Sequence, residues 1–132
     1  MEEKKDKLLY PKLSYQIIGV CFDVYNELGS DLKEKNYQKA IAFGFTQKGI
    51  SFFQQKYCPI KFKTKRVGDH FVDFLVDEKI ILEIKVAEKF KPADFKQVKS
   101  YLISNNIELG ILVRFSGDGV AFCRVLKPYL NS

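Results

Sequence analysis

The stretch His70-Phe71-Val72-Asp73-Phe74-Leu75-Val76-Asp77-Glu78-Lys79-Ile80-Ile81-Leu82-Glu83-Ile84-Lys85-Val86 decides the fold. Residues 70–76 and 80–86 are rich in β-branched and aromatic side chains, so each is predicted as a strand. The link Asp77-Glu78-Lys79 is too short for a crossover and forces an antiparallel hairpin. Alternation then puts Phe71, Asp73 and Leu75 on one face, and Ile81, Glu83 and Lys85 on one face of the partner. With a three-residue loop Asp73 lies directly opposite Glu83, at a Cβ separation of about 4.5–5.5 Å. His70 falls on the other strand face from Asp73 and is read as non-catalytic.

Two carboxylates that close repel and raise each other's pKa unless a cation lies between them. Lys85, two residues beyond Glu83, reaches the same point. A charge in a strand otherwise made of Ile80, Ile81, Leu82, Ile84 and Val86 is costly unless it is paired or bound to metal. Magnesium takes oxygen ligands and often uses only one or two protein carboxylates beside waters and substrate phosphates. Asp73 and Glu83 can supply them, and a divalent ion held there polarises a phosphodiester and helps generate hydroxide from water. Lys85 then orients that water or offsets charge on the phosphorane. The alternative is a three-membered salt bridge in which Lys85 neutralises both acids.

Outward from this hairpin the periodicity changes. Leu13, Ile17, Cys21, Val24, Tyr25 and Leu28 recur at helical spacing, with Ser14 as N-cap and Gly29 as the stop. A second helix is predicted over residues 32–48, where Asp31 and Glu34 have the form of a capping box. Residues 50–57 and 60–65 read as strands broken by Pro59; in the second, Lys61, Lys63 and Lys65 share one face. Pro92 opens a helix to residue 104, with Phe95, Val98 and Leu102 on its buried stripe. Two last strands, 109–115 and 120–126, flank a Gly117-Asp118-Gly119 turn. Tyr37 reads as a packed aromatic, and Phe43, Phe45, Phe52 and Phe53 as core. The order α-α-β-β-β-β-α-β-β is that of a mixed α/β or α+β domain.

Composition narrows the classes. At 132 residues and 46% hydrophobic the chain fits one domain, with residues 1–10 as a flexible extension. No uncharged apolar run exceeds six residues, against about 18 or more for a membrane span. The charged N-terminus leads into no apolar signal segment. Cys21, Cys58 and Cys123 are scattered and odd in number, which fits a reducing, cytoplasmic setting and not a disulfide framework. A single histidine is too few for a His-based metal site. The net charge is +6, yet residues 35–68 contain eight lysines and arginines and no acid. Such a block suits a polyanion, most commonly nucleic acid, or else serves as a solubilising surface.

These segments resemble the PD-(D/E)xK nuclease superfamily, and within it the branch named for a Gly-x-x-Glu-x-x-Tyr motif. Leu13-Ser14-Tyr15-Gln16-Ile17-Ile18-Gly19 is similar to the family's opening helix, and Glu34-Lys35-Asn36-Tyr37 matches the Glu-x-x-Tyr half of the motif. Val72-Asp73-Phe74-Leu75-Val76 and Ile81-Leu82-Glu83-Ile84-Lys85 resemble the two metal-site strands. Gln97-Val98-Lys99-Ser100-Tyr101-Leu102 resembles the Gln-x-x-x-Tyr helix of RecB-like exonuclease domains, and Gly110-Ile111-Leu112-Val113 the strand that follows. Two positions depart from the pattern: Asp31 stands at the motif's glycine, and Val72 replaces a proline before Asp73.

The resemblance implies a mixed central sheet flanked by helices, with a restriction-endonuclease-like core. It implies that Asp73, Glu83, the Ile84 carbonyl and Glu34 hold Mg²⁺ or Mn²⁺, that Lys85 is the catalytic lysine, and that Gln97 and Tyr101 face the site or the DNA backbone. Lys61, Lys63, Lys65, Arg66, Lys96 and Lys99 then contact phosphates, and the partner is nucleic acid, above all DNA. Two other functions compete with such a nuclease: a nucleic-acid-binding module without turnover, and a protein-assembly subunit or homodimer whose lysines form a solvated face.

Overall fold

The computed structural model describes residues 9–129. Helix α1 (Pro11–Leu28) and helix α2 (Glu34–Gln47) are followed by β1 (Phe52–Tyr57), β2 (Ile60–Phe62), β3 (Lys65–Gly68), β4 (Phe71–Val76) and β5 (Ile80–Val86). Helix α3 (Pro92–Asn105) then leads to β6 (Leu109–Ser116) and β7 (Gly119–Leu126). The predicted order holds, with the second strand divided into a small β2–β3 hairpin. Lys63 is left-handed (φ 55°) and turns the chain, so Lys61, Lys63 and Lys65 are not one face of a single strand.

Five strands form the sheet in the order β1-β4-β5-β6-β7. The β4–β5 pair is antiparallel, as its three-residue link requires; Asp77 and Glu78 are both left-handed and the Lys79 N–H closes the turn on the Val76 carbonyl at 2.9 Å. β5 and β6 are parallel, and α3 makes the crossover between them.

Helices α1 and α2 cover one face. There Ile17, Val20, Ile41 and Phe45 meet Phe74, Leu82, Ile84, Ile111 and Phe115. Tyr37 stacks on Phe115 at 4.3 Å and its hydroxyl donates to the Gly29 carbonyl. On the other face α3 lays Val98, Tyr101 and Leu102 against Val72, Leu75, Ile81 and Leu112. Close approach needs small residues at two places. A Cβ on Gly110 would stand 2.7 Å from Val98 on α3, and one on Gly44 would stand 2.6 Å from Val20 on α1.

Several expectations are corrected. α1 begins at Pro11, whose fixed φ suits the first helical position, and Ser14 lies inside it, where its hydroxyl accepts from Arg124 at 2.6 Å. The residue before α2 is Lys33, and Asp31 sits at φ 72°, so Asp31 and Glu34 form no capping box. Phe45 is buried, but Phe43 and Phe53 are exposed. Of the predicted extension over 1–10, residues 1–8 lie outside the described residues; Leu9 and Tyr10 pack against the core. Among the described residues no helix is long and apolar enough to cross a membrane.

One irregularity positions the site. Residues two apart in a strand share a face, yet Val72 packs on the α3 side and Phe74 on the α1–α2 side. The chain changes face at Asp73. The β1–β4 register skips the Gln55/Asp73 step, and Gln55 is itself left-handed (φ 53°). The β4–β5 register ends at Phe74↔Leu82, one step short of Asp73 and Glu83.

Candidate active site

Where that ladder stops, side chains take over its hydrogen bonds. The Asp73 N–H donates to Glu83 Oε2 at 2.7 Å, and the Ile84 N–H donates to Asp73 Oδ2 at 2.7 Å. The carboxylates thus satisfy two N–H groups that the diverging strands leave without carbonyl partners. The expected juxtaposition of Asp73 with Glu83 is present, made by carboxylates and main chain across the split.

Helix α2 closes the site from the sheet's other face. Gln38, 9% exposed, donates through Nε2 to Glu34 Oε1 and to Asp73 Oδ1, each at 3.1 Å. Its own Oε1 accepts from Gln55 Nε2 at 3.1 Å. Glu34 is exposed at the start of the helix, one turn before Gln38, so a single amide ties the helix acid to the strand acid.

The electrostatics are those of an under-compensated acid cluster. Glu83 is 4% exposed, and burial together with the neighbouring Asp73 pushes its carboxyl up to about 8. Burial also raises Asp73, against the pull of the Ile84 N–H and Lys85, and burial and Asp73 raise Glu34. Lys85 is half-buried, with its ammonium 3.9 Å from Asp94 Oδ1. Asp94 also caps α3 by accepting the Lys91 N–H at 2.9 Å. The ion pair of Lys85 is therefore with α3, which departs from the three-membered salt bridge; its charge still lowers Asp73, Glu83 and Glu34 from a distance.

His70 is the largest correction. Its ring stacks on Tyr101 at 3.6 Å, its Nδ1 lies 2.8 Å from the Tyr101 hydroxyl, and its Nε2 faces Glu83 Oε1 at 3.7 Å. That Nε2 is buried and makes no hydrogen bond. Strand alternation sent His70 away from the site because it assumed an uninterrupted strand, and the change of face at Asp73 voids that assumption. Burial, then Lys85, holds the imidazole below its ordinary pKa, while burial and Glu83 raise Tyr101. Gln97, one turn before Tyr101, is exposed, and Tyr101 is buried. Lys61, Lys63, Lys65 and Arg66 are exposed on the β2–β3 hairpin, and Lys96 and Lys99 are exposed on α3, which packs beside β2. Arg66 is paired with Asp69 at 2.6 Å.

Gln38, Gln55 and Asp94 escaped the sequence reading, as His70 did. Only Gln38 carried a signal: it stands four residues after Glu34, on the same helix face. Among the described residues no three His, Cys, Asp or Glu side chains converge as a ready-made metal cage. Two carboxylates and a main-chain carbonyl nonetheless fit a hard cation that keeps its waters. The repulsion between Asp73 and Glu83 is the kind of strain such a cation relieves.

No curated protein sequence matches the chain. Among solved structures it is similar to the protein SSO0001, with a TM-score of 0.57 and 18% identity over 73% of this chain. The match covers 50% of SSO0001, so this chain spans about half the length of that protein. It is also similar to an alkaline exonuclease from Laribacter hongkongensis, with a TM-score of 0.50 and 13% identity over 87% of this chain and 82% of the other. At these identities the likeness is one of fold. A sequence profile of the PD-(D/E)XK nuclease superfamily matches residues 11–124 and takes in both helices of the first layer, the split hairpin and α3. The chain belongs to the PD-(D/E)XK nuclease superfamily.

Proposed function

We propose that the protein is a divalent-metal-dependent nuclease that hydrolyses phosphodiester bonds of DNA, of the branch with the Glu-x-x-Tyr helix. The observation that carries this reading is the buried Asp73–Glu83 pair at the broken end of the β4–β5 ladder, beside the charge of Lys85. Asp73, Glu83 and the Ile84 carbonyl are the residues to hold Mg²⁺ or Mn²⁺, with Glu34 joined to them through Gln38. When bound, such an ion polarises the phosphodiester and acidifies a water.

The chain's own groups do the rest. Gln38 fixes Asp73 from above, and the Ile84 N–H fixes it from the strand. Lys85, half-exposed and held loosely by Asp94, supplies the movable charge that orients the attacking water and offsets charge on the phosphorane. The lysines of the hairpin and of α3 hold phosphates without reading bases, because their contacts are with the backbone charge common to every sequence.

Cleavage of plasmid and single-stranded DNA with Mg²⁺ or Mn²⁺, compared across wild type, Glu83→Ala and Lys85→Ala, tests the proposal. Cutting by wild type alone supports it. Equal cutting by all three shows a contaminating nuclease and removes the support.

A further inference from the structure

We infer that the β2–β3 hairpin is a stacking arm for unpaired nucleic-acid bases, so that the substrate enters as a single strand or a frayed end. The inference rests on the nucleic-acid reading above and adds the substrate class to it. Phe62 is the last residue of β2, immediately before the Lys63–Thr64 turn, and is 65% exposed. Every residue from 61 to 67 is exposed, and Phe62 belongs to neither of the two buried clusters. Lys63 Nζ hovers 5.4 Å from the ring centroid, and Lys61, Lys65 and Arg66 surround it.

The hairpin exposes Phe62 and Val67 and its foot exposes Tyr57 and Phe71, a grouping of apolar side chains of the kind that marks a binding surface. Asp69 is paired with Arg66, and Lys61, Lys63 and Lys65 leave the tip positive, so a second copy of it is repelled and a polyanion is attracted. A polyanion that also offers flat apolar faces is a nucleic acid with unpaired bases. A duplex hides those faces within its own stack, and only ends and single-stranded tracts present them. Lys63 can exchange the ring for a phosphate as a base takes its place on Phe62.

The aromatic path continues toward the acids. Tyr57 and Phe71 pair across β1 and β4, are tilted at 5.3 Å and are each about half exposed at the foot of the hairpin. The foot is closed by the Cys58 N–H donating to the His70 carbonyl at 2.7 Å, and the His70 ring abuts Glu83. Phe71 stands two residues before Asp73, so the exposed aromatics at the foot include one on the strand that carries the acid.

The test is binding in EDTA, which prevents cleavage, of labelled oligothymidine and of a blunt duplex of equal length, read by fluorescence anisotropy. Phe62→Ala should weaken the single strand about tenfold and the duplex by less than about twofold. Phe62→Trp should retain the affinity, and its indole, alone in a chain without tryptophan, should be quenched by the single strand. The double change Lys63→Ala and Lys65→Ala should weaken both polymers and lower the salt slope by about 1.5. If Phe62→Ala weakens both polymers alike, or neither, the stacking arm is wrong while the nuclease reading stands. If wild type binds neither polymer, the nucleic-acid reading fails and the arm fails with it.

Discussion

Glu83→Gln should make the metal-free protein more stable at pH 8 while abolishing its response to divalent ions. Glu83 is nearly inaccessible, and burial, then the charge of Asp73, push its carboxyl up to about 8 against an ordinary value of 4.5. Below pH 4.5 native and unfolded chains both carry the proton. Between 4.5 and about 8 the native chain holds a proton that the unfolded chain has lost, so stability falls as pH rises. At 1.36 kcal/mol per pH unit, the loss between pH 5 and pH 8 amounts to about 3 kcal/mol. Glutamine remains neutral and keeps an oxygen to accept the Asp73 N–H, so the fall in stability due to Glu83 should be absent from the variant. Urea denaturation at pH 5, 6.5 and 8, in EDTA and in Mn²⁺, measures this. Wild type should lose about 3 kcal/mol in EDTA and regain about 2.7 kcal/mol when Mn²⁺ reaches a hundred times its dissociation constant. His70, whose pKa is lowered, contributes a slope of opposite sign. If Glu83→Gln is no more stable than wild type at pH 8, or if Mn²⁺ still stabilises it, the account of the acid pair is refuted.

Four further outcomes follow from the geometry. Lys85→Met should abolish cleavage yet leave Mn²⁺-induced stabilisation within about 0.5 kcal/mol of wild type, because the ammonium forms its ion pair with Asp94, at 3.9 Å; loss of the metal response would count against its placement. Gln38→Ala removes the amide that ties Glu34 to Asp73 and should lower Mn²⁺ affinity about 10- to 100-fold, measured by titration calorimetry. His70→Phe keeps a ring against Tyr101 but deletes the nitrogen facing Glu83; the melting temperature should hold while Mn²⁺ affinity falls about tenfold. Gly110→Ala drives a methyl to 2.7 Å from Val98 and should cost about 1–3 kcal/mol of stability in urea, without changing metal affinity.

Much of the site was legible because two acids ten residues apart, joined by a polar link of three, can meet in only one simple way. The helices of the first layer were legible from their apolar spacing, and α3 from Pro92. The β2–β3 division was not, because Lys63 and Thr64 carry no glycine or asparagine to announce a turn, although Lys63 takes a left-handed backbone. His70 was misplaced by applying a two-residue period across Asp73, where the chain swaps faces to put its carboxylate under the Ile84 N–H. Gln38 and Gln55 come from a helix and a strand that meet only in three dimensions. Gln38 at least shares a helix face with Glu34, whereas Gln55 has no periodic signature that sets it apart from a surface glutamine.

The left-handed Gln55 has a consequence for how the protein behaves in company. β1 lies on the rim of the sheet, and an unbroken rim of free N–H and C=O groups templates the addition of foreign strands. A residue at φ 53° mid-strand turns the neighbouring peptide groups out of line, and Lys56 beside it arches over Phe53 at 4.7 Å. The distortion that lets the glutamine network reach Asp73 therefore also blunts that rim against amyloid-like growth, so one kink guards solubility and the acid cluster together.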